Sequence, residues 1–151
     1  MIVKSFELDK LKSLSFNMHL IYGINEGIKE DIIKKCYLNN LEGDILKYDE
    51  QEILIKKDEF VSSILNKSLF ENNKLIIISR GSEKLFEILN DILERDISNT
   101  KIIIKCMNLE KKSKLRNLFE KKDQIICTPV YSDDARSLNL ILENFIKKNE
   151  L

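Results

Sequence analysis

Tryptophan is absent from this sequence, proline occurs once and glycine only four times. So little glycine and proline argues against a disordered chain and against a turn-rich sandwich. Histidine occurs once, as His19, and the cysteines Cys36, Cys106 and Cys127 form no CxxC pair. That set is too sparse for a structural zinc site, so no metal is expected. An odd, unpatterned cysteine count fits a reducing cytoplasm. Neither sign of charge is in excess, because 25 Lys and Arg balance 25 Asp and Glu. The simplest argument for bulk nucleic-acid binding, a strong basic surplus, is therefore missing, although a local basic face is compatible with neutrality. No window approaches the roughly 20 apolar residues of a membrane-spanning helix. The opening MIVKSFELDKLKS has no long apolar stretch and does not read as a signal peptide.

What is present suits one compact domain. The chain has 151 residues, of which 43% are hydrophobic, mostly Ile and Leu. A domain of this length buries roughly two thirds of its unfolded surface and needs no disulfide or metal to hold it. Five short apolar runs, 18–22, 45–48, 75–79, 102–106 and 125–128, alternate with amphipathic stretches. The runs LIII and III are continuous rather than alternating, which marks strands buried on both faces of a parallel sheet.

The stretches between them read as helices. Asn25 is placed to cap a first helix carrying Ile28, Ile32 and Ile33. Residues 51–66 are helical in pattern with a break near Lys57–Asp58, and turn Phe60, Val61, Ile64 and Leu65 inward. Ser82 caps a helix with Leu85, Ile88, Leu89 and Ile92, and Leu115, Leu118 and Phe119 make a similar stripe. Asp133 or Asp134 caps a last helix with Leu138, Ile141, Leu142 and Phe145. The pattern predicts a three-layer α/β domain: a mostly parallel sheet of about five strands, helices on both faces and right-handed crossovers.

Chemistry is harder to find. The first strand ends in Gly23-Ile24-Asn25-Glu26-Gly27-Ile28-Lys29, where a phosphate-binding loop of a nucleotide hydrolase would sit. A working loop is GxxxxGK[ST]. Here the glycines stand one residue too close, Ile28 replaces the lysine, and no hydroxyl follows for magnesium. Lys29 is at best a slipped phosphate lysine, and a tight strand-to-helix turn is the simpler reading. The third strand ends Ser79-Arg80-Gly81, without the acid that would hold magnesium and orient water. His19 has no partner pattern and reads as a strand histidine satisfied by its neighbours. Lys111, Lys112, Lys114, Arg116, Lys121 and Lys122 cluster about one helix and could meet phosphates, but Glu110, Glu120 and Asp123 dilute them, so a solvated face is the simpler reading. The segment 66–74, Asn-Lys-Ser-Leu-Phe-Glu-Asn-Asn-Lys, holds Leu69 and Phe70 between polar flanks. Either the pair is exposed for a partner or it tucks under a helix end.

At this segment the sequence resembles the N-terminal domain of the delta subunit of the bacterial DNA polymerase III clamp loader. Ser68-Leu69-Phe70 followed by polar residues and Lys74-Leu75-Ile76-Ile77 is similar to the family's pattern. So, in order, are Leu20-Ile21-Tyr22-Gly23 with Glu26, Leu109-Glu110-Lys111-Lys112-Ser113-Lys114-Leu115, and Pro129-Val130-Tyr131-Ser132-Asp133-Asp134 with Leu138. The resemblance runs over essentially the whole chain. It implies an AAA+-like domain with a degenerate nucleotide site at Gly23, Gly27 and Lys29. It also implies no cofactor and no hydrolysis of its own within a nucleotidyltransferase complex. Leu69 and Phe70, with Ser68 before them, would enter the hydrophobic pocket of the ring-shaped sliding clamp. The implied partners are that clamp, the other clamp-loader subunits and, indirectly, primed DNA, with Lys111, Lys112, Lys114 and Arg116 facing it. The implied place is the cytoplasm, at replication forks. The family's lid and collar domains have no counterpart in residues 1–151, so a single domain is expected here. Two alternatives stand beside this one. One is a divergent P-loop or AAA+ ATPase using Gly23–Lys29. The other is a stand-alone α/β interaction domain, receiver-like for instance, although no Asp ends the third strand.

Overall fold

The computed structural model describes residues 1–39, 41–65, 73–97, 99–130, 143 and 146–148. Five strands form one parallel sheet: β1 (Met18–Gly23), β2 (Asp44–Asp49), β3 (Lys74–Gly81), β4 (Thr100–Cys106) and β5 (Ile126–Val130). They lie in the order β2-β3-β4-β1-β5. Each apolar run of the sequence is a strand. The two continuous Ile-rich runs, β3 and β4, are interior, with Ile76, Ile78, Ile102, Ile103 and Ile104 excluded from solvent. β2 is an edge, which is why its run is short and interrupted by Lys47, and why Ile45 stays exposed.

The helices are α1 (Glu26–Ile33), α2 (Glu50–Ile55), α3 (Lys57–Leu65), α4 (Phe86–Leu93) and α5 (Lys114–Lys121). Their sides follow from handedness. The step from β1 to β2 crosses the sheet one way, and the steps β2 to β3, β3 to β4 and β4 to β5 cross it the other way. Right-handed crossovers then put α1 on one face and the later helices on the opposite face. The cores agree. Ile28, Ile32 and Ile33 of α1 pack on Ile21, Ile77, Ile103 and Ile126. Phe60, Ile64, Ile88, Leu89, Leu115 and Phe119 pack on Leu20, Ile76, Ile78, Ile102 and Ile104. Strand residues alternate between the two cores, and the result is a three-layer α/β domain.

The caps are those the sequence suggests. Asn25 accepts from the Ile28 N–H at 3.1 Å and starts α1. The α2–α3 break falls at Lys56, with Phe60 and Ile64 buried below it. Ser82 caps a single 3-10 turn, Glu83–Leu85, that runs into α4. Three features carry no local signal. The chain start, with Val3, Leu11 and Phe16, closes the α1-side core. A π-helical turn, Lys34–Leu38, extends α1. The register of β3 against β4 slips between Ile78 and Gly81, where Arg80 adopts φ +55°. The last helix expected after Asp133 lies, apart from Glu143 and Ile146–Lys148, outside the described residues. Among the described residues, no helix is long and apolar enough to cross a membrane.

Candidate functional site

In an open parallel sheet the ligand crevice lies beyond the carboxyl ends of the strands, where neighbouring strands send their connections to opposite faces. Here that point is between β1, which leads to α1, and β4, which leads to α5. The loop with Gly23, Gly27 and Lys29 stands on it.

Gly23 is required by its surroundings. Its φ is +140°, and a Cβ there would lie 1.7 Å from the Val130 carbonyl oxygen on β5. Gly27 is under no such demand, because its Cβ would meet only the Asn25 side chain at 3.4 Å. Lys29 sits one turn into α1 and points back under the loop, with its side chain 1% exposed. Its ammonium donates to the Gly23 carbonyl at 2.8 Å and to the Cys106 carbonyl at 2.9 Å, and pairs with Glu26 at 2.5 Å. The three N–H donors therefore have three oxygen partners. The crevice at the ends of β1 and β4 is occupied by the protein's own cation, and the oxygens around it would repel a phosphate.

The neighbouring loops are closed in the same way. Glu50, buried at the start of α2, accepts from the Ser82 N–H at 2.8 Å and its hydroxyl at 2.7 Å. Glu83 accepts from the Lys114 N–H at 2.7 Å and takes a hydrogen bond from the Ser113 hydroxyl. A carboxylate thus fills the anion site at the N-terminus of α5. Arg80 pairs with Asp49, which also accepts from the Gln51 N–H at 3.0 Å. That backbone bond first, and then Arg80, hold the Asp49 carboxyl below its usual range.

The basic cluster divides. Lys111, Lys112 and Lys114 are exposed. Lys112 pairs with Glu110, and the Lys114 ammonium lies over the Phe86 ring. Arg116 faces inward: it donates to Glu120 at 2.7 Å and to the Leu109 carbonyl at 3.0 Å, and its guanidinium lies over the Tyr22 ring. It braces the β4–α5 loop.

His19 is wholly buried between the Tyr37 hydroxyl at 2.5 Å and the Thr128 hydroxyl at 2.7 Å. Burial, helped by Lys101, pushes its pKa down to about 3. It is a neutral core histidine at any ordinary pH, with both ring nitrogens engaged. Burial raises all three thiols, Cys36 to about 11 and Cys127 to about 12, so none is a nucleophile at neutral pH. Among the described residues, no group of three His, Cys, Asp or Glu side chains is placed to hold a metal.

Ser68, Leu69 and Phe70 lie outside the described residues, but their flanks do not. Lys74, the first residue of β3, reaches back to the Ser63 carbonyl near the end of α3 at 3.3 Å. The Asp44 N–H donates to the Asn73 carbonyl at 2.9 Å. Gly43, at φ +152°, passes so close that a Cβ would stand 2.0 Å from that same oxygen. A cavity of about 320 Å³ opens beside Asn73, lined also by Cys36, Tyr37, Glu42, Lys74 and Lys101. All of this is at the amino end of the sheet, opposite the filled crevice.

The close approaches of Gly23 and Gly43, and the inward turn of Lys29, escape sequence reasoning because their partners are distant along the chain. The fold and site define a three-layer α/β domain in which the buried Lys29 ammonium bridges the carboxyl ends of β1 and β4. No family model and no curated protein matches the chain.

Proposed function

We propose that this domain is a clamp-gripping module similar to the N-terminal domain of the clamp-loader delta subunit. It works by binding a sliding clamp and not by hydrolysing nucleotide. The observation that carries the reading is a pairing of two opposite ends. At the carboxyl end of the sheet, Lys29 fills the place a nucleotide phosphate would need. In sequence, the segment with Ser68-Leu69-Phe70 lies between α3 and β3, whose amino end Lys74 ties to α3 through the Ser63 carbonyl.

In this mechanism Leu69 and Phe70 enter an apolar pocket on the clamp. Burying one Leu and one Phe gains roughly 3–6 kcal/mol before ordering costs. Binding then biases the ring toward an open form only as far as the domain prefers that form. Timing by hydrolysis belongs to other subunits, and primed DNA is met indirectly, with Lys111, Lys112 and Lys114 as the exposed cations nearest the β4–α5 loop.

The two alternatives are less well supported. An ATPase would need a phosphate-binding group that Lys29 does not offer. A receiver-like domain places β1 between β2 and β3. Here β2 pairs directly with β3, and β1 lies between β4 and β5.

Calorimetric titration against a bacterial sliding clamp tests the reading. The wild-type domain binds, and Leu69→Ala with Phe70→Ala weakens binding at least a hundredfold, equivalent to ~2.7 kcal/mol. No binding by the wild type to a clamp from its own source sinks the proposal. Heat on titration with ATP that vanishes in Lys29→Met would favour the ATPase instead.

A further inference from the structure

Buried lysines in proteins are paired or uncharged, because an ammonium taken from water without partners costs several kcal/mol. Lys29 is 1% exposed and has three partners, two of which are backbone carbonyls from different strands. Backbone carbonyls gathered about a point are what proteins use to replace the hydration shell of a monovalent cation. From this arrangement we infer that the ends of β1 and β4 form a monovalent-cation site, which the chain occupies permanently with the ammonium of Lys29.

Three observations support this polarity. The three described partners of the Lys29 nitrogen are all acceptors: the Gly23 carbonyl, the Cys106 carbonyl and the Glu26 carboxylate. Gly23 ends β1 and is paired with Val130 of β5, so its backbone is held by the sheet. The Cys106 carbonyl is the last of β4, and its strand is paired along Met18–Tyr22 of β1. The two oxygens are therefore fixed by the sheet and exist whether or not the lysine is there. The cage belongs to the fold, and the side chain is its occupant.

The chemical class of ligand follows. With the occupant removed, the cage takes a small primary ammonium and rejects phosphate. It also rejects a quaternary ammonium, which has no N–H to donate. The natural function of the arrangement is to tie the ends of two neighbouring strands whose connections leave on opposite faces. This inference stands on the geometry alone and is independent of clamp binding.

Chemical rescue is the test. Lys29→Ala leaves a Cβ and vacates three methylenes and the ammonium, which is the shape of propylammonium. Urea unfolding of Lys29→Ala is measured at constant ionic strength with propylammonium, tetramethylammonium or propanol. The expected result is a saturable rise of at least about tenfold in the folded-to-unfolded ratio with propylammonium alone. Lys29→Met, whose side chain fills the channel, should not respond. Equal effects of propylammonium and propanol, or a Lys29→Met protein as stable as the wild type, would overturn the inference. Should Lys29→Ala fail to fold, lysine-selective nitrogen NMR of the wild-type protein decides. One ammonium resonance protected from exchange, with coupling across hydrogen bonds to the Gly23 and Cys106 carbonyl carbons, supports the cage. A Lys29 ammonium exchanging as fast as the surface lysines refutes it.

Discussion

The Glu83 carboxylate lies against the backbone N–H of Lys114 at 2.7 Å, capping α5 from the 3-10 turn that runs into α4. It also approaches the Leu115 N–H and receives the Ser113 hydroxyl, so it satisfies donors that the helix itself leaves unpaired. Charge and hydrogen bonding act together there, because the carboxylate meets the positive end of the helix dipole. Glu83→Ala should therefore cost about 1 kcal/mol, and Glu83→Gln less, since the amide keeps an acceptor. Urea denaturation checks this: the midpoint should fall with an unchanged slope. An unshifted midpoint in Glu83→Ala would mean that water replaces the cap.

The two glycines of the β1–α1 loop should respond in opposite directions. Gly23→Ala drives a Cβ into the Val130 carbonyl at 1.7 Å and forces an unfavourable φ, so a loss of about 3 kcal/mol is expected. Gly27 is the second residue of α1 and has room, so Gly27→Ala should be neutral or stabilising by up to about 1 kcal/mol. A phosphate-cradling loop would need both. Thermal unfolding of the two variants separates the cases, and a large loss in Gly27→Ala would speak for a role at that position that the packing does not show.

How far the sequence could be read is clear from these same residues. The strands were legible because interior parallel strands must be apolar on both faces, as in Ile76–Ile78 and Ile102–Ile104. The caps Asn25 and Ser82 act within three residues, well inside the range of a local pattern. Lys29 was not legible. Its partner Cys106 is 77 residues away, and nothing local distinguishes a lysine that turns inward from one that reaches a phosphate. Glu83 meets the α5 terminus across 31 residues, and Arg80, at φ +55°, lies where the β3–β4 register slips. Periodicity reports which face is buried, but not which polar groups meet once the faces are in place.

The exposed and inward members of the basic cluster make a third prediction. Arg116 carries hydrogen bonds to Glu120 and Leu109 and covers Tyr22. Its removal leaves a backbone carbonyl and a carboxylate without their donor. Arg116→Ala should destabilise by about 1–2 kcal/mol. Lys111→Ala and Lys112→Ala should stay within about 0.5 kcal/mol of wild type. If these lysines meet primed DNA in a loaded complex, their loss should flatten the salt dependence of binding, by roughly one unit of slope per phosphate contact, and leave stability untouched. Fluorescence anisotropy with primed DNA across a salt series, beside thermal melts of the same variants, reads both quantities.

His19 makes the last prediction, and its being the sole histidine keeps the attribution clean. Folded, its pKa is pushed down to about 3, against 6.5 when exposed. The unfolded chain therefore binds a proton over a range of pH in which the folded chain does not. The stability this group contributes is complete well above pH 6.5 and is lost as pH falls through 6.5 toward 3, with a slope that approaches about 1.4 kcal/mol per pH unit a unit below 6.5. The range from 6.5 to 5.5 is the useful one, since it lies above the ordinary carboxylates. His19→Gln cannot take up the proton. It should be less stable at pH 7, because the Tyr37 and Thr128 hydroxyls lose one well-placed ring partner. Its stability should nevertheless be nearly flat over that range, while the wild type loses about 1 kcal/mol. Parallel slopes in the two proteins would mean that His19 is protonated in the fold or that the acid sensitivity lies elsewhere. Whatever slope remains in the variant belongs to other groups, and subtracting the two curves isolates the histidine.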